Sequence, residues 1–532
     1  MKTHSTHHGS ISTPWLTAIG SLAAILVLGL LLWSTTHRSS PKEKPAELVL
    51  YCATGLMKPV QETCAEYEKE YGVAIRVEPD SSGSLLSRLR VAPDRVDLYL
   101  SGEESFVAEA RRLNLVAEVL PVARQHVVLA VSPGNPRKIA AWKDLLQDDV
   151  RVVLPNPELT ATSRSAQRAL AGTGQWEALL ARQKAGQAQL SFVGNVNEAA
   201  QAVKIGAAEV SLVWDATART FGLDMVEVPE FQARAREQAT LAVVAATNSP
   251  TAALHFARYL TARDRGQAAV EKNFFQPVED ADVWEDRPAL LLMSGAMLKP
   301  GVDDLVKSFS QREGVTINTI YAGCGIHVAQ MKAMKAGLSQ STHFPDAYFA
   351  CDVSFMSQVQ QWFEASTVIS RNDMVLVVPK GNPAGVKSIE DLARPELRVG
   401  LAHPVNSALG ALTDDLLKKL KLHAKVYDPG RKHPIVHSDA GHALVNQMRA
   451  GALDLLVVYR SNVLSNPENA EKYLDIVEMN LAEAVAIQPY AVAKDSQHKY
   501  LMRRLLEAIL SPSSKERFVK SGFQWMAEGK PQ

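Results

Sequence analysis

Three short segments rich in Ser, Thr and Gly hold the residues of this chain best suited to bind a ligand. Ala53-Thr54-Gly55, Ser81-Ser82-Gly83-Ser84 and the stretch 159–163, which includes Thr162 and Ser163, each follow an apolar run and precede a stretch with helical spacing. A turn of that kind opens a helix, whose first N–H groups lack intrahelical partners and carry partial positive charge. Several such ends brought together hold a small anion without any Lys or Arg. Hydroxyls among them donate to ligand oxygens. Ser and Thr are also ordinary N-caps of their own helices, so one turn alone says little. Three of them point to a small-ligand cleft.

A second set is sulfur-based. Cys324 and Cys351 fall just past predicted strand ends, and His327 follows Cys324 by three residues. That spacing suits a soft-metal site or a Cys/His nucleophilic pair. The plainer reading is preferred: two small, buried thiols and a histidine on a helix surface. A disulfide between Cys324 and Cys351 is left open by spacing alone. Cys52 and Cys64 read as core residues. The sequence shows no paired carboxylates, no metal-ligand spacing, no Walker motif and no Gly-x-Ser-x-Gly elbow. We therefore expect neither an enzyme nor a cofactor, and an enzyme built on Cys324 and His327 ranks last among the alternatives.

The elements that must position these residues alternate strand and helix. Apolar runs 48–51, 73–77 and 96–100 read as strands, and 59–71 and 84–91 as helices. This order implies an α/β fold with mainly parallel sheets, in which ligands bind beyond the carboxyl ends of strands. The pattern then recurs. Cys52-Ala-Thr-Gly-Leu-Met-Lys-Pro59 returns as Ser294-Gly-Ala-Met-Leu-Lys-Pro300, and the run before Pro133-Gly-Asn-Pro136 returns before Lys380-Gly-Asn-Pro383, about 240 residues later. Such a period exceeds the roughly 20–50 residues of solenoid units, so a whole domain is duplicated. At 532 residues the chain has room for both copies. Lys plus Arg balance Asp plus Glu at 57 each, and no basic field argues for nucleic acid.

Ahead of the repeats, residues 15–33 form an uncharged apolar run with Trp15 and Trp33 at its edges. As a helix it would rise about 28 Å, near the thickness of a bilayer's hydrocarbon core, with Trp at both interfaces. An uncleaved single-pass anchor is preferred to a signal peptide, because the run is long for one and no Ala-x-Ala-like site follows. Residues 1–14 are then a tail, in which His4, His7 and His8 are read as solvated, and 34–46 a tether.

Both repeats resemble the periplasmic molybdate-binding proteins within the type II solute-binding superfamily. The resemblance rests on Tyr67-Glu-Lys-Glu-Tyr-Gly-Val73, Ser81-Ser-Gly-Ser-Leu85, Val96-Asp-Leu-Tyr-Leu-Ser101, Arg151-Val-Val-Leu-Pro-Asn-Pro157 and Val210-Ser-Leu-Val-Trp-Asp215. In the second repeat Asp346-Ala-Tyr-Phe-Ala350, Arg398-Val-Gly-Leu-Ala-His-Pro404 and Leu455-Leu-Val-Val-Tyr-Arg460 fill the same places. It covers nearly everything after residue 46 and implies two tandem bilobed domains, 47–283 and 286–532, each closing on an oxyanion.

Carried over position by position, the resemblance implies ligand-binding roles for Gly55 with Thr54, Ser82, Thr162 with Ser163, Val196 and Trp214 in the first repeat. In the second it implies Met297 (or Ala296, one residue earlier), Cys324, Leu409 with Gly410, Ala440 and Tyr459. Family members usually place a serine where Gly55 stands and a tyrosine where Trp214 stands. The second repeat keeps the tyrosine but has lost two hydroxyls, so it is expected to bind an oxyanion poorly and to be specialised or silent. The implied role is capture of a small oxyanion, molybdate- or tungstate-like, for an ABC transporter permease, outside the bacterial cytoplasmic membrane. A membrane-tethered sensor or scaffold is the alternative. Arg38, Lys42 and Lys44 behind the apolar run, against Lys2 before it, weigh the other way on topology.

Overall fold

The computed structural model describes residues 47–187, 189–339 and 343–527. The predicted tail, anchor and tether lie outside the described residues. Among those described, no helix is long and apolar enough to cross a membrane.

Each repeat builds two lobes on one continuous sheet. In the first, Leu48–Ala53 is buried at every position and pairs in parallel with Ile75–Asp80 on one side and Leu98–Ser101 on the other. Two long strands, Val116–Val131 and Arg236–Val244, run antiparallel to each other. They cross into a second lobe, where Val210–Trp214 lies antiparallel to the first crossing strand and parallel to Arg151–Pro155. The sheets are therefore mixed, a correction to the mainly parallel arrangement expected. Helices between successive strands impose parallel pairing within each lobe. The crossing strands return through both lobes and pair antiparallel. The predicted strand 73–77 lies two residues later, at Ile75–Asp80, and the helix expected at 84–91 already begins at Ser82.

The second repeat reproduces this plan. Ala289–Gly295, Thr316–Ala322 and Ala347–Phe349 pair in parallel, and Thr367–Pro379 and Val485–Val492 are the crossing strands. The repeated motifs have physical causes. Asp97 accepts from the Val49 N–H (2.9 Å) and the Thr247 hydroxyl. Asp346 does the same for the Leu291 N–H (2.9 Å) and the Ser496 hydroxyl. Asn135 and Asn382 stand at φ 43° and 46°, and each side chain bonds the backbone four residues on. Asn tolerates that left-handed conformation better than most residues, so the Gly-Asn-Pro turn is a structural signature, not a ligand loop. Gly72 and Gly314 end the matching helices Met57–Tyr71 and Lys299–Glu313 at φ 69° and 68°.

Helix Pro250–Thr261 of the first domain packs on helix Lys299–Glu313 of the second. At that joint Arg504 makes a bidentate pair with Glu313 (2.7 and 2.9 Å), both buried. Asp282 accepts from the Tyr500 and Leu501 N–H groups at the start of helix Lys499–Ile509. Trp284 folds back on the first domain, donating from Nε1 to the Tyr71 hydroxyl within a cluster that includes Tyr67, His255 and Tyr259.

Candidate functional site

In the first domain the two lobes meet. The Gly83 N–H donates to the Leu159 carbonyl (2.7 Å), and Asn197 Nδ2 donates to the Thr54 carbonyl (3.2 Å). A Cβ on Gly83 would stand 2.8 Å from the Leu159 oxygen, so only glycine permits this approach. A Cβ on Gly55 would lie 3.3 Å from Val196 Cγ1 and 3.5 Å from both Thr217 Oγ1 and Trp214 Cδ1. A Cβ on Gly102 would lie 3.3 Å from Ala161 Cβ and 3.6 Å from Trp214 Nε1. Residues from both lobes thus converge on one region.

Most of the expected positions gather there. Ser82 heads helix Ser82–Val91, and its Oγ accepts from the Gly102 N–H (3.1 Å). The hydroxyl proton of Ser82 is left to donate. Thr54 Oγ1 is buried without a partner. Thr162 is buried in the first turn of helix Ala161–Ala169. Val196 opens helix Val196–Lys204, whose next two N–H groups are already capped by Asn195. Trp214 is the N-cap of helix Asp215–Phe221. A partnerless buried hydroxyl costs about 1–3 kcal/mol, so Thr54 is placed to gain from an incoming oxygen.

Ser163 already uses its hydroxyl. Its hydroxyl donates to the Pro155 carbonyl at 2.5 Å, a bond that ties helix to strand. Of the Thr162 and Ser163 pair, only the first keeps its hydroxyl free. Sequence reasoning missed Thr217, whose Oγ1 is buried and partnerless beside Gly55. The signal was present: Thr217 sits in the first turn after strand Val210–Trp214, a place like the three turns singled out. It also missed Gly102 and Gln125, whose Nε2 donates to the Gly102 carbonyl (2.8 Å). A crossing-strand glutamine carries no local mark of a cleft.

The second domain encloses a cavity of about 30 Å³, lined by Met297, Cys351, Leu409, Ala440, Tyr459 and Asn462 among others. Ala296 and Met297 both line it, and the turn Ala296–Leu298 matches Thr54–Leu56, which sets Met297 against Gly55. The Tyr459 hydroxyl is buried without a partner, and burial holds its pKa well above the usual phenol range. Gly410 does not line the cavity. A Cβ there would stand 2.3 Å from the His403 carbonyl oxygen, so this glycine serves packing. Asp439 also lines the cavity, and its carboxylate accepts from Asn406 Nδ2 (3.0 Å).

The two cysteines correct the reading as separate thiols: Cys324 and Cys351 are joined by a disulfide, with Cα atoms 6.2 Å apart. Cys324 stands where Ser82 does and Cys351 where Gly102 does, so a covalent bond occupies the place of the first domain's Ser82–Gly102 hydrogen bond. The Cys351 N–H still donates to Cys324 Sγ (2.9 Å). His327 is a second correction. It is fully buried, not on the helix surface, and its Nε2 donates to the Ser294 carbonyl (3.0 Å). Burial lowers its pKa. Among the described residues no group of three or more His, Cys, Asp or Glu could hold a metal.

The chain is 25% identical over 245 residues to YvgL of Bacillus subtilis (strain 168), named as an ABC transporter substrate-binding lipoprotein. That match covers 45% of this chain and 87% of YvgL. It is 22% identical over 239 residues to the molybdate-binding protein ModA of Mycobacterium tuberculosis, covering 44% and 84%. To the sulfate-binding protein of Synechococcus elongatus it is 22% identical over 261 residues, covering 44% and 72%. Among solved structures, the Azotobacter vinelandii periplasmic molybdate-binding protein superposes with a TM-score of 0.37 at 16% identity, over 44% of this chain and 100% of that one. The bacterial extracellular solute-binding protein family matches at residues 48–276 and again at 290–524. The chain belongs to that family, as a tandem of two type II periplasmic-binding-protein-like domains.

Proposed function

We propose that this protein captures a small oxyanion in its first domain, on the outer side of the cytoplasmic membrane, and delivers it to an ABC-type permease. The observation that carries the reading is the pair of buried, partnerless hydroxyls of Thr54 and Thr217, set on opposite lobes beside Ser82 and Trp214. These are donors without acceptors, and no Lys or Arg side chain is needed among them. A tetrahedral, molybdate-like anion supplies the missing acceptors. The names of ModA and of the sulfate-binding relative support the class of ligand.

The second domain is read as specialised away from that ligand. Met297, the Cys324–Cys351 disulfide and Leu409 stand where donors would be needed, and Asp439 repels an anion. Loss of two net hydrogen bonds at about 1 kcal/mol each gives roughly thirty-fold weaker binding. Calorimetry of the whole chain with molybdate, tungstate, sulfate and phosphate tests this. One tight site per chain is expected. Two sites of equal affinity would refute the asymmetry, and no binding of any of the four would refute oxyanion capture.

The proposed topology has residues 15–33 as an uncleaved anchor. Protease added to intact spheroplasts should digest both domains, and full protection would place them inside.

A further inference from the structure

We propose that the second cleft is a thiol-reactive site, in which a small-molecule thiol reduces the Cys324–Cys351 disulfide by attack on Cys351. Four observations carry this. First, Cys351 lines the cavity and is 5% exposed, whereas Cys324 does not line it and is 0% exposed, so an entering thiolate meets Cys351 first. Second, Cys324 is the first residue of the twelve-residue helix Cys324–Lys335, and a helix N-terminus stabilises a thiolate. Third, the Cys351 N–H already points at Cys324 Sγ, at 2.9 Å, ready to hold the charge that develops when this sulfur leaves. Fourth, the surroundings make room for the bridge. Gly295 stands where the first domain has Ala53, and a Cβ there would lie 2.5 Å from Cys351 Sγ.

The chemistry balances. The thiolate RS⁻ forms an S–S bond to Cys351 as the Cys324–Cys351 bond breaks, and the electron pair leaves on Cys324. A second RS⁻ then attacks the mixed disulfide, releasing RSSR and the Cys351 thiolate. Two thiols are oxidised, one protein disulfide is reduced, and two electrons pass to the domain. The leaving sulfur is the one the fold stabilises. The two remaining cysteines are built otherwise: Cys52 and Cys64 are buried in the first domain, and desolvation pushes the Cys64 thiol up to about 12 and the Cys52 thiol further. They serve as internal controls.

The test uses the whole chain, folded, with sub-stoichiometric 2-mercaptoethanol, quenched in acid at intervals and mapped by the masses of peptic peptides. Expected are a mercaptoethanol adduct on Cys351, a free thiol on Cys324, and no adduct on Cys52 or Cys64. Met297→Phe, which narrows the cavity, should slow the reaction at least tenfold in native buffer and leave it unchanged in denaturant. A disulfide that resists the thiol until the chain is unfolded would overturn the proposal. So would an adduct placed on Cys324, or shared equally between the two sulfurs.

Discussion

At the scale of single residues, the hydrogen-bond inventory distinguishes donors that are free from donors already used. Ser82 keeps a proton to give because its Oγ only accepts, from the Gly102 N–H. Ser82→Ala should therefore weaken oxyanion binding by about tenfold, the worth of roughly one hydrogen bond to an anion. Thr217→Val should do the same, while Ser163→Ala should cost stability and leave affinity near its original value. Titration calorimetry of the three variants separates the roles. His327 supports a different prediction. In the unfolded chain it titrates near 6.5, and burial lowers that value in the fold. Between the two values the unfolded chain binds the extra proton, so stability is full above about pH 6.5 and falls as pH drops below it. His327→Leu, which installs the residue found at the matching place in the first domain, Leu85, should flatten that acid limb. Urea midpoints of the second domain between pH 5 and 7.5 would show it, and an unchanged slope would exclude His327 as the cause.

At the scale of elements, the strand-to-helix turns were legible because a ligand site of this kind needs small residues where helices begin. Ser82 and Thr162 were singled out that way, whereas Trp214, Tyr459 and the place of Cys324 in the second cleft came from the family resemblance. What stayed hidden depended on which partner each polar group meets. Nothing local separates Thr162 from Ser163; the Pro155 carbonyl does. Nothing local pairs Cys324 with Cys351 either, since their approach is set by strands Thr316–Ala322 and Ala347–Phe349, which flank Ala289–Gly295 on either side. The mainly parallel reading missed the antiparallel pairing of the crossing strands because an apolar run does not announce its direction. Gly83 shows how an element boundary controls closure. Its helical backbone would accept alanine, but the added Cβ would meet the Leu159 carbonyl oxygen at 2.8 Å. Gly83→Ala should hold the lobes apart, leave thermal stability nearly unchanged, and weaken ligand binding tenfold or more, because apparent affinity scales with the closed fraction. Small-angle scattering with and without oxyanion would register the lost closure.

At the scale of the whole molecule, we propose that 47–283 and 286–532 fold as separate units, with one amendment to the boundary. Trp284 belongs to the first unit: it is 9% exposed and donates to Tyr71. Trp284→Ala should destabilise that unit by about 3–5 kcal/mol, as large-to-small changes at buried aromatics do. A fragment ending at 286 should melt higher than one ending at 283, and equal melting points would show the indole to be a bystander. The joint itself has a polarity. The first domain contributes Pro250–Thr261, whose counterpart in the repeat is Lys499–Ile509. The second contributes Lys299–Glu313, whose counterpart is Met57–Tyr71. A twofold dimer would also make the reciprocal contact, Met57–Tyr71 against Lys499–Ile509, and among the described residues no packing of comparable extent joins those two helices. The tandem is therefore not a fused symmetric dimer. No rotation by half a turn exchanges its clefts, and a receptor that grips one domain meets a different neighbour than it would on the other. Inequivalence between the copies lies in the geometry of their joining, and would persist if every side chain in the two clefts were the same.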